Sequence, residues 1–439
     1  MGQAGQRRRR VLFEIVSGAC DWGGWPAMKL LIFAHTPPPH HGQSFMVQMA
    51  LEGLGGDLRK GGRTQGEFEC YHVNSRFSDT IAQIGYASLG KVFRLLRYLV
   101  EAVWCRFYHG ADTLFCVPAS GVRSAVYRDW GIMLLGRVLF RERIYHWQAA
   151  GLSEWLEREA CGWERSVTRW LLRRPSLSIV LGEYARSDAV YFESQRTALI
   201  FNAVPDPAPD CRERILPRRR ARSEARLAGW QGSGRGMASF QILYLSLCMR
   251  EKGLFDALEA VALLNSRLER EGRRVRARLV VAGSFYSEGE RSEFEVRSAQ
   301  RDLNGPGDAR GEGRVVDYRG FVRGEEKARL FEDSDAFVFP SYYPMEGHPV
   351  SLVEAMAFGL PAVVSRWRAL PELFPEGYDL LVEPRRPDAI AAKLHDLIVT
   401  PWREDGRARY EQDFTQARFL ERLKEALRPL RAGKAGGDR

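Results

Sequence analysis

Short apolar runs recur along the chain, and between them apolar positions return every three or four residues. That alternation is expected of buried parallel strands joined by amphipathic crossover helices. In the first half it predicts strands at Leu30–Ala34, Cys70–Val73, Thr113–Val117, Ile144–His146, Leu177–Leu181 and Ala198–Phe201. In the second half it predicts Gln241–Ser246, Arg278–Ala282, Val315–Tyr318, Ala336–Phe339, Pro361–Val364 and Asp379–Val382. Helical spacing lies between them, as over Phe255–Arg270 and Ser351–Phe358. A composition break separates the halves: Pro205, Pro207, Pro209 and Pro217, then Arg218–Arg220, then Gly232, Gly234 and Gly236. It predicts a linker over 206–236. The expected organisation is a tail over 1–27, an α/β domain over 28–205, the linker, a second α/β domain over 237–400, and a C-terminal helix and tail over 401–439. Doubly wound α/β sheets bind ligands at the carboxyl ends of their strands, so the cleft between the domains is the expected site.

Composition narrows the class. The 439 residues are 45% apolar and 27% charged, which excludes a disordered chain, a collagen-like repeat and a small disulfide scaffold. The net charge of +10 fits an anionic partner of some kind. Seven Arg and two Glu between Arg212 and Arg226 carry +5 of it. No aromatic residues interleave with them, so this stretch reads as a solvated loop and no nucleic-acid partner is expected. The seven cysteines are scattered without a CxxC pair, which fits free thiols and a cytoplasmic protein. The longest uncharged stretch, Leu30–Leu51, contains Pro37, Pro38 and Pro39 and does not read as a membrane span. Arg7–Arg10 before Val11–Cys20 imitates a signal peptide, but Glu14 interrupts the apolar run. Residues 1–27 are therefore expected to be a tail or a mis-called start.

The segment richest in chemistry runs from Phe339 to Ser365. A strand ends at Phe339, a loop carries Glu346, and a helix opening near Val350 carries Glu354 in its first turns. Backbone N–H groups from Gly347 to Leu352, those of His348 and Val350 among them, would point out of the helix start towards an anion. The two carboxylates would then be free for hydroxyls on either side of it, the layout of sugar, diphosphate and ribose. By themselves, two such residues read rather as a helix cap at Glu346 and a solvated helix residue at Glu354.

The surrounding residues add a resemblance. Glu346-Gly-His-Pro349-Val-Ser-Leu-Val-Glu354-Ala-Met-Ala-Phe-Gly-Leu-Pro-Ala362-Val-Val resembles the signature of glycosyltransferase family 4, retaining enzymes of the GT-B fold with two Rossmann-like domains. Leu243-Tyr-Leu-Ser-Leu-Cys-Met-Arg-Glu-Lys-Gly253 resembles the opening of that family's second domain and implies that Lys252 holds the donor phosphate. The family often carries an Arg early in this loop. Ser246 and Leu247 stand there in this chain, and Arg250 is the candidate replacement. The loop Phe33–Ser44 is similar to the family's first loop, with Gly42 approaching the donor. Ile144–Gly151 implies a histidine facing the transferred sugar, His146. Asn202 falls at the domain crossover, and Gly320 in Arg319–Lys327 is expected to admit the nucleotide base. Asp333-Ser-Asp335 spells a metal-binding DxD, but it stands where a helix runs into a strand. No metal or other cofactor is expected.

The resemblance thus implies sugar transfer with retention, from a UDP- or GDP-sugar to a hydroxyl of a glycan or lipid-linked acceptor. Cell-surface polysaccharide, lipopolysaccharide or glycolipid synthesis would be the setting. Glu346 would hold sugar hydroxyls, Glu354 the ribose, and Lys252 the leaving diphosphate, whose oxygen takes the acceptor proton. The alternatives are a nucleotide-sugar epimerase of the same fold and a non-catalytic sugar-nucleotide-binding subunit. A last feature is Val92–Trp104, which reads as an amphipathic helix with Arg94 and Arg97 beside an apolar face. It fits a core-packed helix with a solvated basic edge, or a helix lying on the inner face of a membrane.

Overall fold

The computed structural model describes residues 27–38, 42–77, 89–230, 237–299, 314–404 and 406–435. All but the last residue of the expected tail over 1–27, and Gly232, Gly234 and Gly236 of the expected linker, lie outside the described residues.

Each predicted strand is present. They are β1 (Met28–Phe33), β2 (Phe68–Val73), β3 (Thr113–Cys116), β4 (Glu142–Trp147), β5 (Leu177–Val180), β6 (Thr197–Leu199), β7 (Ala238–Leu245), β8 (Val275–Ala282), β9 (Val316–Gly320), β10 (Ala336–Phe339), β11 (Ala362–Ser365) and β12 (Leu381–Val382). They form two parallel sheets, ordered β2-β1-β3-β4-β5-β6 and β12-β11-β10-β7-β8-β9. Helices cover both faces of such a sheet, so central strands read as unbroken apolar runs. Accordingly β3, β5, β10 and β11 are buried at every position.

The helices of the first half are α1 (Gly42–Gly53), α2 (Leu89–Tyr108), α3 (Arg123–Leu139), α4 (Leu152–Arg158), α5 (Gly162–Leu172) and α6 (Arg186–Tyr191). Then follow α7 (Leu216–Trp230), α8 (Leu254–Arg270), α9 (Glu288–Ser298), α10 (Gly324–Asp333), α11 (Val350–Ala357), α12 (Pro387–Val399) and α13 (Gln416–Ala435). Successive strand residues face opposite sides of the sheet. Leu30 and Ile32 of β1 therefore pack with Met46 of α1 and with Phe419, Leu423 and Leu427 of α13. Leu31 and Phe33 pack on the other side, with Tyr98 of α2, Val126 of α3 and Leu171 of α5. The last helix has thus returned to the first domain.

The expected linker requires correction. Residues 216–230 are helix α7, and the preceding turn is helical as well. Pro217 falls in the first turn, where a missing N–H costs nothing, and Arg and Ala favour a helix thereafter. Two of its arginines, Arg219 and Arg226, are buried and not solvated. Arg219 is buried and donates to the carbonyls of Phe331 (3.0 Å), Ser334 (3.1 Å) and Phe358 (2.7 Å), at the C-terminal ends of α10 and α11. Arg214 pairs with Glu332 at 2.7 Å, and Arg226 with Asp335 at 3.3 Å.

Both sheets reverse their winding once, at β1/β3 in the first and at β7/β10 in the second. The loops leaving β7 and β10 therefore flank the crevice where such sheets bind ligands.

Candidate functional site

The loop after β7 ends in a tight turn, Arg250–Lys252, from which α8 starts. The loop after β10 carries Ser341, Tyr343 and Glu346. The two loops are tied by the Tyr342 N–H, which donates to the Glu251 carbonyl at 2.8 Å. Lys252 Nζ consequently lies 2.9 and 2.8 Å from the two oxygens of Glu346. The Ser341 hydroxyl donates to the same carboxylate, and the ammonium stands 4.7 Å over the Tyr343 ring. Glu346 is almost wholly buried, so its charge depends on these donors.

Glu354 is on α11, behind this pair. Lys327 of α10 reaches it at 2.5 Å. Burial raises the Glu354 carboxyl above its ordinary range, and the Lys327 charge opposes that rise. Lys327 has no signal in the sequence as a site residue. It sits twenty-seven positions before Glu354, and only the packing of α10 beside α11 brings the two together.

Other candidates stand differently from expectation. Arg250 is held by Glu293 of α9 at 2.5 and 2.6 Å, and its guanidinium covers Phe255. Its charge is thus already engaged by a carboxylate. His146 is fully buried, between Phe115 and Phe419, and burial pushes its imidazole down to about 3. It does not reach solvent. Instead its Nε2 accepts from the Gln148 amide at 2.7 Å, and that amide also donates to Asn202 Oδ1 at 3.1 Å. Asn202 in turn donates to the His348 carbonyl at 3.0 Å, so this chain of contacts crosses from the first domain to the second. The His348 ring is also buried, between Phe201 and Phe414, and is likewise pushed down to about 3. Its carbonyl meets Asn202 and its ring packs on Phe201, so both reach the first domain.

The glycines and the helix start mark where the domains touch. A Cβ on Gly347 would sit 2.8 Å from the Gln148 carbonyl, so only glycine permits this approach. A Cβ on Gly42 would lie 3.2 Å from Cγ2 of Val350, the first residue of α11, which Pro349 precedes as its cap. Gly320 has φ +66°, and a Cβ there would meet nothing within 4 Å. Its backbone conformation accounts for the glycine. Two further contacts that the sequence does not signal cross between the domains. Arg368 pairs with Glu154 at 2.9 Å, and Glu372 accepts the N–H groups of Glu183 and Tyr184 at 2.6 and 2.9 Å.

Asp333 closes α10 and Asp335 precedes β10, as the sequence suggests. Asp335 accepts from the Gln241 N–H at 2.9 Å and faces Arg222 and Arg226.

Comparison with known proteins bears on the fold and on the second domain. Residues 232–413 match the family model of glycosyl transferases group 1. O-antigen chain mannosyltransferase B of Escherichia coli is 37% identical over 95 residues, which are 21% of this chain and 24% of that protein. The amylovoran biosynthesis glycosyltransferase AmsK of Erwinia amylovora is 36% identical over 121 residues, 25% of this chain and 30% of AmsK. The aligned parts thus span only a quarter to a third of these relatives. Sucrose-phosphate synthase from Thermosynechococcus elongatus superposes over 92% of this chain and 100% of its own, with TM-score 0.60 and 16% identity. Anabaena HepE, solved in complex with UDP, superposes over 92% of this chain and 100% of its own, with TM-score 0.58 and 16% identity. The chain has the GT-B fold of two Rossmann-like domains, and its residues 232–413 match glycosyl transferases group 1.

Proposed function

We propose that this protein is a retaining glycosyltransferase, of family 4 within the group, moving a sugar from a UDP- or GDP-sugar to an acceptor hydroxyl. The observation that carries the reading is the meeting of Lys252 and Glu346 at the strand-order reversal, with Glu354 on the helix behind. An ammonium there is placed to stabilise charge growing on a leaving diphosphate, an effect specific to the transition state. Glu346 is placed to hold donor-sugar hydroxyls, and Glu354 to accept from the ribose. The bond from the anomeric carbon to the phosphate oxygen breaks, and a bond to the acceptor oxygen forms on the same face. The acceptor proton passes to the departing phosphate oxygen, so neither a protein nucleophile nor a metal ion is required. His146 acts through Gln148 as a positioning residue.

Relatives named for O-antigen, colanic acid and amylovoran synthesis support a glycan or lipid-linked acceptor in cell-surface polysaccharide assembly. With it goes a cytoplasmic protein working peripherally at the inner face of the membrane. The experiment is a thermal-shift screen of UDP- and GDP-sugars followed by an assay for released nucleotide. A donor at a hundred times its Kd adds about 2.7 kcal/mol to stability. A chain whose melting temperature no nucleotide sugar shifts would not be a transferase of this kind.

A further inference from the structure

Helices α2, α3 and α5 lie side by side over one face of the first sheet. Arg106 of α2 donates to the Leu139 carbonyl at 2.7 Å, and Trp130 of α3 donates to Thr168 of α5 at 2.9 Å. Their inner sides enter the core through Tyr98, Val126 and Leu171. A helix that has buried one apolar side ordinarily turns a polar one to water. These three do not. Phe93, Val100 and Phe107 of α2, Val138 of α3, and Trp163 and Trp170 of α5 are each more than half exposed. Twelve of the twenty large apolar side chains exposed among the described residues are on these three helices. Scattered exposed apolar residues need no explanation, but a continuous apolar face does.

Charge selects its partner. The three helices contain nine basic residues and three acidic ones. All three acids are engaged within the protein: Glu101 by Arg59 at 2.9 Å, Asp129 by Arg128 at 2.7 Å, and Glu164 by Arg123 at 3.1 Å. Arg137 lies over the exposed Trp170 ring at 4.9 Å, a cation beside an aromatic. A second copy of the chain would set the same positive excess against itself across a two-fold interface, which is repulsive. An anionic bilayer surface complements both features. Aromatic rings settle at the level of the headgroups, and arginines meet lipid phosphate.

We propose that the outer face of α2, α3 and α5 docks on a phospholipid bilayer rich in anionic lipid. This deepens the peripheral membrane position suggested above and rests on that reading for its setting, but it is tested without the transfer reaction. The full chain is floated at low salt with vesicles of phosphatidylcholine alone, or of phosphatidylcholine with an equal part of phosphatidylglycerol. It should bind the anionic vesicles at least about tenfold more tightly, with the difference closing as salt is raised. Two double variants on separate helices, Val100→Ser with Phe107→Ser and Trp163→Ser with Trp170→Ser, should each weaken binding about tenfold, because each strips apolar area from the surface. Arg94→Glu with Arg97→Glu should weaken it by loss of charge. Melting temperatures should stay at the wild-type value, since these side chains lie outside the core. Equal binding to neutral and anionic vesicles would overturn the proposal, as would variants that bind like wild type. So would a wild-type dimer that ignores vesicles and dissociates on Trp163→Ser with Trp170→Ser.

Discussion

Lys252 and Glu346 stand ninety-four residues apart in the chain, yet the Lys252 ammonium reaches both oxygens of the Glu346 carboxylate, at 2.9 and 2.8 Å. Each is a counter-charge to the other in a nearly buried setting. On the proposed reading, a donor diphosphate would compete with Glu346 for the ammonium, and a sugar hydroxyl would compete with the ammonium for Glu346.

Lys252→Ala should lower kcat on the order of a hundredfold, as for loss of one charge-stabilising group. Glu346→Gln should also lower kcat, but it releases the ammonium and should tighten binding of UDP or GDP. Calorimetric titration of the nucleotide checks the second half. Unchanged nucleotide affinity in Glu346→Gln would mean that the ion pair does not compete with the ligand.

The Glu354–Lys327 pair predicts a pH effect on stability. Burial raises the Glu354 carboxyl in the folded chain, and Lys327 opposes the rise. For a raised carboxyl, stability is fully present below its unfolded value of about 4.3 and is lost as pH climbs through the folded value. Lys327→Met removes the opposing charge and widens that loss. Its melting temperature should fall progressively below wild type as pH rises above about 4.3. Adding Glu354→Gln should flatten the difference.

The buried histidines act with the opposite sign. His146 and His348 are both pushed down to about 3, so the folded chain refuses protons that the unfolded chain accepts. Their contribution to stability is complete above about pH 6.5 and declines as pH falls towards the folded values, by about 1.4 kcal/mol per histidine and pH unit. His348→Phe keeps a ring between Phe201 and Phe414 but cannot be protonated. It should gain on wild type steadily from pH 7 to pH 5 in thermal melts. A constant difference across that range would show that His348 is not buried neutral.

Gly347→Ala should hold the domains apart. The added Cβ would meet the Gln148 carbonyl at 2.8 Å, a backbone atom just beyond the end of β4. Small-angle scattering should give a larger radius of gyration than wild type, with the melting transition of each domain retained. Glu372→Ala, which deprives two first-domain N–H groups of their acceptor, should act in the same direction.

Transfer should survive chelation by EDTA, because Lys252 is placed to take the role of a cation. Asp335→Asn should lower the melting temperature, since it leaves Arg226 buried without its counter-charge. Turnover per folded molecule should be near wild type. Loss of turnover on chelation, restored by manganese, would make Asp333-Ser-Asp335 the working site.

The sequence by itself determined the strands and the principal motif. A strand in a parallel sheet is buried on both faces, so its run of apolar residues is local information, and twelve such runs became twelve strands. The loop–helix from Glu346 to Glu354 is equally local, because its order of strand, turn and helix start lies within one short segment. The tertiary structure decided what each charge meets. Arg212–Arg226 read as a solvated loop, because a run of arginines does not announce the carbonyls at the ends of α10 and α11 that bury Arg219. Lys327 carried no signal, because its partner is chosen by the packing of two helices. His146 kept its place at the end of β4, but α13, arriving from the far end of the chain with Phe419, sealed it in. Burial, ion pairing and contact between domains depend on residues distant in sequence, and that is why the fold was legible before the site was.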